Sequence, residues 1–386
     1  MTTSSTATLR ELAGQLIMIR LSGTELDAST ARFIRDNRIR AACLFRNNMT
    51  DEAQLRRYTA DLRAAMGPNA LIALDQEGGA VVRAKWVPAP PAAMALGAAD
   101  DPQLAREVGG AVARAVRALG FNWNFAPVLD LNNNLNNPVI AERSFGADPR
   151  RATEIALAWM DGSLAEGVAC CVKHVPGHGD THVDSHRALP TVDKSRAELE
   201  GLEFSPFQQA AGSAPAMMTA HIVYPALDPE FPATLSRRIL TDLIRTHWQY
   251  KGVVITDGMD MKAIADRYGA GSAGVMALAA GADMVMAIGD RASQEETLDA
   301  IVDAIETGKI KLAEAHASVA RLDALAQRFP SADVPYMTDA ADRQLMARAW
   351  QQGLTPYRAP KRPAPGAGVR LVVREDSTGD GVSEAG

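Results

Sequence analysis

Residues 252–259 read Gly252, Val253, Val254, Ile255, Thr256, Asp257, Gly258, Met259. The apolar residues occupy both parities of a short run, and a strand displays alternate residues on opposite faces, so both faces of this segment must be covered. Strands of that kind belong to parallel sheets lying under helices. The run also ends on a carboxylate, Asp257, which is costly to bury unless it is hydrogen-bonded or used.

Seven further runs share this texture, at 16–21, 41–45, 71–74, 122–129, 168–172, 216–220 and 284–288. Between the eight lie stretches of helical periodicity, among them 51–66, 102–119, 152–166, 196–211, 240–247, 271–280 and 295–307. Eight strand-helix units in succession predict an α/β fold, a closed (β/α)8 TIM-type barrel, in preference to an open doubly wound sheet. We assign residues 1–335 to this barrel. The remainder, 336–386, reads as a short C-terminal extension: a helix at 339–352, a linker rich in Pro, Lys, Arg and Gly at 357–368, a strand-like run at 369–373 and an acidic tail.

A barrel places its chemistry just past the C-terminal ends of its strands. Here the third strand runs into Asp75, Gln76 and Glu77, the fourth into Asp130, the fifth into Lys173 and His174, the sixth into His221 and the seventh into Asp257. Polar groups from five strands thus converge on one rim. Asp257 reads either as a helix N-cap or as a nucleophile or stabiliser of a cationic transition state. Lys173 and His174 read either as an ion pair with a carboxylate such as Asp75 or Asp130, or as hydrogen-bonding partners of a polyhydroxylated ligand. Arg83 and Arg143 could serve the same ligand with more directional donors.

The fifth strand opens into a run in which four of the seven histidines fall within residues 174–186. Asp184 and His186 stand two apart, so in extended backbone they share a face. The carboxylate can then fix the imidazole tautomer and raise its pKa, making His186 a proton donor and acceptor near neutral pH. His178 and His182 are four apart in a loop, a spacing that suits zinc poorly, and we expect neither metal nor organic cofactor. They receive no catalytic role.

Hydrophobic residues make up 47% of the chain and charged residues 22%, the balance of a soluble globular protein. A net charge of −6 with no Lys/Arg block excludes a nucleic-acid surface. The first residues carry neither a leader nor a membrane-inserting stretch, and the three cysteines, Cys43, Cys170 and Cys171, do not suggest a disulfide framework. Both point to the cytoplasm.

Several segments in order, DQEGG with Arg83 eight residues after Asp75, APVLDL, ERSFG around Arg143, KHVPGHGDTHVDSH, TAHI and TDGMDM, resemble glycoside hydrolase family 3, specifically its β-N-acetylglucosaminidase branch. The long histidine-containing motif is the specific one. The resemblance covers about residues 10–330 and implies a retaining mechanism: Asp257 as nucleophile, His186 paired with Asp184 as acid and base, and Asp75, Arg83, Arg143, Lys173 and His174 around an N-acetylglucosamine ring, with His221 added to the substrate-binding set. It departs where Gly258 follows the nucleophile in place of an acidic residue, and where Val175 follows His174. Residues 348–373 resemble the opening of the second α/β domain found in two-domain members.

The expected activity is exo-hydrolysis of terminal N-acetylglucosamine from short glycans such as peptidoglycan fragments. Family-related alternatives are a β-N-acetylglucosaminide phosphorylase and a β-glucosidase. A non-catalytic sugar-binding protein is the alternative from another class.

Overall fold

A computed structural model of the chain describes residues 6–185 and 188–355. Eight parallel strands close on themselves: β1 (Ile17–Arg20), β2 (Ala41–Cys43), β3 (Leu71–Leu74), β4 (Trp123–Asn124), β5 (Ala169–Val175), β6 (Ala216–Thr219), β7 (Val253–Gly258) and β8 (Met284–Ala287). Each pairs with its successor, and β8 returns to β1 through Ile17↔Val285 and Met18↔Met286. The predicted (β/α)8 barrel is the observed fold. Every residue of β3, β5, β6 and β8 is buried, as expected of strands lined inside by one another and outside by helices.

Helix starts follow the sequence closely because aspartates cap them. Asp51, Asp101, Asp148 and Asp290 each accept a backbone N–H from the first turn, and Pro102 and Pro149 follow two of these caps. Three segments differ from expectation. The fourth strand stops at Asn124, because Pro127 has no N–H to continue a ladder and only Val128 bridges back, to Lys173. The expected helix over 196–211 divides into Arg196–Gly201 and Phe204–Ala210, with Pro206 in the first turn of the second piece, where its missing N–H costs little. Arg238–His247 winds as a π-helix rather than an α-helix.

At the N-terminal mouth of the barrel, Asp283 is fully buried just before β8. It accepts hydrogen bonds from the Val254 amide (2.8 Å), Ser318 Oγ (2.9 Å) and Arg321 Nε (2.8 Å), and it pairs with Arg245. This carboxylate ties β7 to β8 and both to the helix Leu312–Arg328. The predicted C-terminal helix is present as Asp339–Gln352, docked through buried Asp342 on Arg114, which also pairs with Glu166. The linker and the strand-like run at 369–373 lie outside the described residues. No helix among the described residues is long and apolar enough to cross a membrane.

Candidate active site

At the opposite mouth a cavity of about 330 Å³ opens, within the range that holds small ligands. Asp75, Arg83, Arg143, Lys173, His174 and Asp257 all line it. Six residues separated by up to 182 positions in sequence therefore meet at one rim.

One wall is a compact ion cluster. Lys173 Nζ lies 2.7 Å from Asp75 and 2.6 Å from Glu77, Arg83 donates to Asp75 at 3.2 Å, and Arg143 grips Glu77 with two parallel bonds of 2.8 and 2.9 Å. Lys173, Arg83 and Arg143 are buried. Burial alone would raise the Asp75 and Glu77 carboxyls. The Lys173 ammonium with Arg83 outweighs it at Asp75, and Arg143 with Lys173 outweighs it at Glu77, so both lie below the usual carboxylate range. Burial likewise opposes the charge on Lys173, and its two carboxylates overcome that and raise its pKa. Asp75, Glu77, Lys173 and Arg143 thus stay ionised, and the cluster's mutual bonds fix it, which pre-orients donors and acceptors toward whatever enters.

A second pairing stands beside the first. His174 Nδ1 is 2.7 Å from Asp130, whose carboxylate also accepts the His174 amide (3.1 Å) and the His178 amide (2.6 Å). With Nδ1 held there, Nε2 of His174 is the ring atom left for the cavity. The two barrel carboxylates considered as partners thus divide the work, Asp75 taking Lys173 and Asp130 taking His174.

Asp257, at the end of β7, is half-buried and accepts the amide of Gly258 at 2.8 Å. His221 is not among the residues that line the cavity; it is buried, its Nε2 donating to the Gly258 carbonyl at 2.9 Å and its Nδ1 2.7 Å from Thr234 Oγ1. It braces the backbone that carries Asp257.

The loop after β5 is tightly seated through Ser185. Gly177 has φ +139°, and a Cβ there would lie 2.7 Å from that of Glu203, while one at Gly179 would lie 2.0 Å from the Leu131 carbonyl. Asn137 donates to the carbonyls of His178 and Gly179 at 2.8 and 2.9 Å. Lys194 bonds Asp180 (2.9 Å) and buried Glu203 (2.5 Å), closing the far side. Asp184 is half-buried at the tip of this framework, and His186 lies outside the described residues.

Sequence reading gave no role to Glu77, His178 or Glu203. Glu77 had a usable signal, since it stands two residues after Asp75 in extended backbone and so shares its face. His178 is buried, with Nδ1 2.9 Å from Thr181 Oγ1 and Nε2 3.2 Å from Ser185 Oγ. Burial and the neighbouring His174 lower its pKa to about 4. Among the described residues no group of three or more His, Cys, Asp and Glu is placed to hold a metal.

That depressed histidine fixes a stability window. Unfolded, the imidazole titrates near 6.5 and folded near 4, so its contribution is full above about pH 6.5 and is lost as pH falls toward 4, on the order of 3 kcal/mol. The melting temperature of the wild type is expected to fall through this interval. That of His178→Gln, lower at pH 7, should fall less steeply; parallel curves would reject the assignment.

Chemically, a fixed polar wall and the strand-end carboxylate of Asp257 line one single-ring-sized space. The arrangement suits a polyhydroxylated ring held by charge-assisted hydrogen bonds, with Asp257 able to approach one of its carbons.

Comparison with known proteins gives the family. Residues 8–325 match the glycosyl hydrolase family 3 N terminal domain. A beta-hexosaminidase A of Pseudoalteromonas piscicida is 36% identical over 340 residues, 81% of this chain, and the match spans 57% of that longer protein. A beta-hexosaminidase of Pseudomonas aeruginosa is 38% identical over 289 residues, 74% of this chain and 86% of its own length. The solved glycoside hydrolase family 3 beta-N-acetylglucosaminidase from Paenibacillus sp. str. FPU-7 superposes with a TM-score of 0.88 at 38% identity, covering 92% of this chain and 70% of that one.

Proposed function

The chain belongs to glycosyl hydrolase family 3, and on that premise we propose that it is a retaining exo-β-N-acetylglucosaminidase acting on short glycans, peptidoglycan fragments foremost, in the cytoplasm. The observation that carries this reading is Asp257 facing the Asp75–Lys173–Glu77–Arg143 wall across a cavity sized for one sugar. The names of the beta-hexosaminidase relatives support the choice of sugar, and three buried free thiols support a reducing compartment.

In this reading the ring is held by Asp75, Arg83, Arg143, Lys173 and His174, with Glu77 keeping Lys173 and Arg143 in place. The Asp257 carboxylate attacks the anomeric carbon as the bond to the leaving oxygen breaks, and that oxygen takes a proton from His186. The glycosyl ester formed on Asp257 is then cleaved by water, which gives its proton to the now neutral His186, so that configuration is retained over two displacements. Asp184 orients His186 and balances its charge in the first step. His221 acts at one remove, by bracing β7.

Turnover of the aryl β-glycosides of N-acetylglucosamine and glucose, each with and without phosphate and with a chelator, tests the reading. The expected result is cleavage of the N-acetylglucosaminide well above the glucoside, free sugar as product, and no change with chelator. A sugar 1-phosphate product would convert the assignment to a phosphorylase. Preference for the glucoside would make it a β-glucosidase, and no cleavage at all a binding protein.

A further inference from the structure

A cavity of about 430 Å³ lies at the N-terminal mouth of the barrel, the end away from Asp257, between the π-helix Arg238–His247 and the helix Leu312–Arg328. Leu16, Leu278, Ala282, Ile310 and Ala315 give it an apolar lining. Its size and its few polar groups set among apolar ones are those of a small-molecule site.

The charged part of the lining is one-sided. Among the described residues Arg237, Arg245, Lys251 and Arg321 line the cavity with one carboxylate, Glu314, which Lys311 engages at 3.1 Å. Arg237, Thr241 and Arg245 follow at four-residue steps, so one side of the winding brings all three to the cavity. Fully buried Asp283 takes both Arg245 and Arg321. Four cations against two carboxylates leave a surplus of two positive charges. Donors remain as well. Arg321 directs Nε and Nη2 to Asp283 at 2.8 Å, and Arg237 directs Nη1 to the Ala279 carbonyl at 3.2 Å. Nη1 of Arg321, Nη2 of Arg237 and Nζ of exposed Lys251 therefore have no acceptor among the described residues.

We propose that this cavity is a separate binding site for a small organic dianion with an apolar body, a phosphate monoester or a dicarboxylate. Its head group lies among Arg237, Lys251 and Arg321, and its carbon part fills the lining beside Leu278 and Ile310. Two negative charges match the surplus, and guanidinium forks suit the paired oxygens of both head groups. The apolar body accounts for the rest of the lining, which an inorganic ion would leave empty. A bound dianion joins one helix to the other over the Asp283 cluster, so it stabilises the closed barrel. The inference stands independently of the glycosidase reading, which concerns the opposite mouth.

Titration calorimetry and melting curves of the full chain test this with naphthyl phosphate, phthalate, neutral naphthol and inorganic phosphate, at about pH 7.5, where a phosphate monoester is a dianion. Naphthyl phosphate or phthalate is expected to bind one to one, to raise the melting temperature, and to bind about ten-fold more tightly than either naphthol or inorganic phosphate, less so at high salt. Which of the two binds more tightly identifies the head group. The double variant Arg237→Gln with Lys251→Gln, both at exposed positions, is expected to weaken that binding by about ten-fold while its ligand-free melting temperature stays at the wild-type value. Should it melt lower, Lys251→Gln alone, which has no partner to lose, is expected to show a smaller loss of the same kind. Absence of binding by both dianions, equal binding of inorganic phosphate or naphthol, or affinity unchanged in these variants overturns the inference.

Discussion

Replacing Asp257 with alanine is expected to lower turnover of an aryl N-acetyl-β-glucosaminide by roughly 10⁴-fold or more, about 5.5 kcal/mol of transition-state stabilisation. The fold should tolerate the change, because the carboxylate is half-buried and β7 is held by its neighbours and by His221. Added azide distinguishes loss of a nucleophile from general damage. It can occupy the vacated space and attack the anomeric carbon from the face Asp257 used, giving an α-glycosyl azide of inverted configuration. Restoration of turnover with that product identifies the missing group as the nucleophile. Wild-type turnover by Asp257→Ala would reject the assignment outright.

Lys173→Met is expected to have the largest effect on stability. The ammonium lies 2.6–2.7 Å from two carboxylates, and the methionine cannot replace its charge, so Asp75 and Glu77 would face each other with only Arg83 and Arg143 as counter-charges. Breaking a buried pair by removing one partner costs about 3–5 kcal/mol. The sign with pH follows from the direction of the shifts. In the wild type both carboxyls are held below their ordinary range, so the cluster's stabilisation is full above about pH 4–5 and is lost on further acidification. The gap in melting temperature between wild type and variant should therefore be widest near neutrality and close in acid. Adding Glu77→Gln should recover part of the loss. A gap that is small at pH 7, or constant with pH, would show that the cluster is not what holds this rim together.

The barrel was legible because burial on both faces leaves a plain mark in sequence: runs such as Val253–Val254–Ile255 have no polar parity. The same logic brought Asp75, Lys173, His174 and Asp257 to one rim, since a parallel barrel aligns all of its strand ends. Groups that act through another residue left no such mark. Asp130 was visible as a strand-end carboxylate and a candidate partner of His174, but its second contact, to the His178 amide, was not; Glu203 reads as an ordinary helical glutamate until Lys194 and Asn133 close on it. For His221, a strand-end position does not reveal what its ring will meet, and here the nitrogens meet the Gly258 carbonyl and Thr234 Oγ1. Irregular backbone was the other blind spot, since periodicity cannot distinguish a π-helical winding over Arg238–His247 from an α-helical one.

The Asp283 knot lies at the far mouth of the barrel from Asp257, and it joins two strands to the helix that follows them. The barrel is thereby closed by a buried charge cluster at each end, one away from the chemistry and one within it. A change at Arg245, Ser318 or Arg321 therefore reaches Asp257 only through the length of β7 and β8, whereas a change at Lys173 touches closure and chemistry at once.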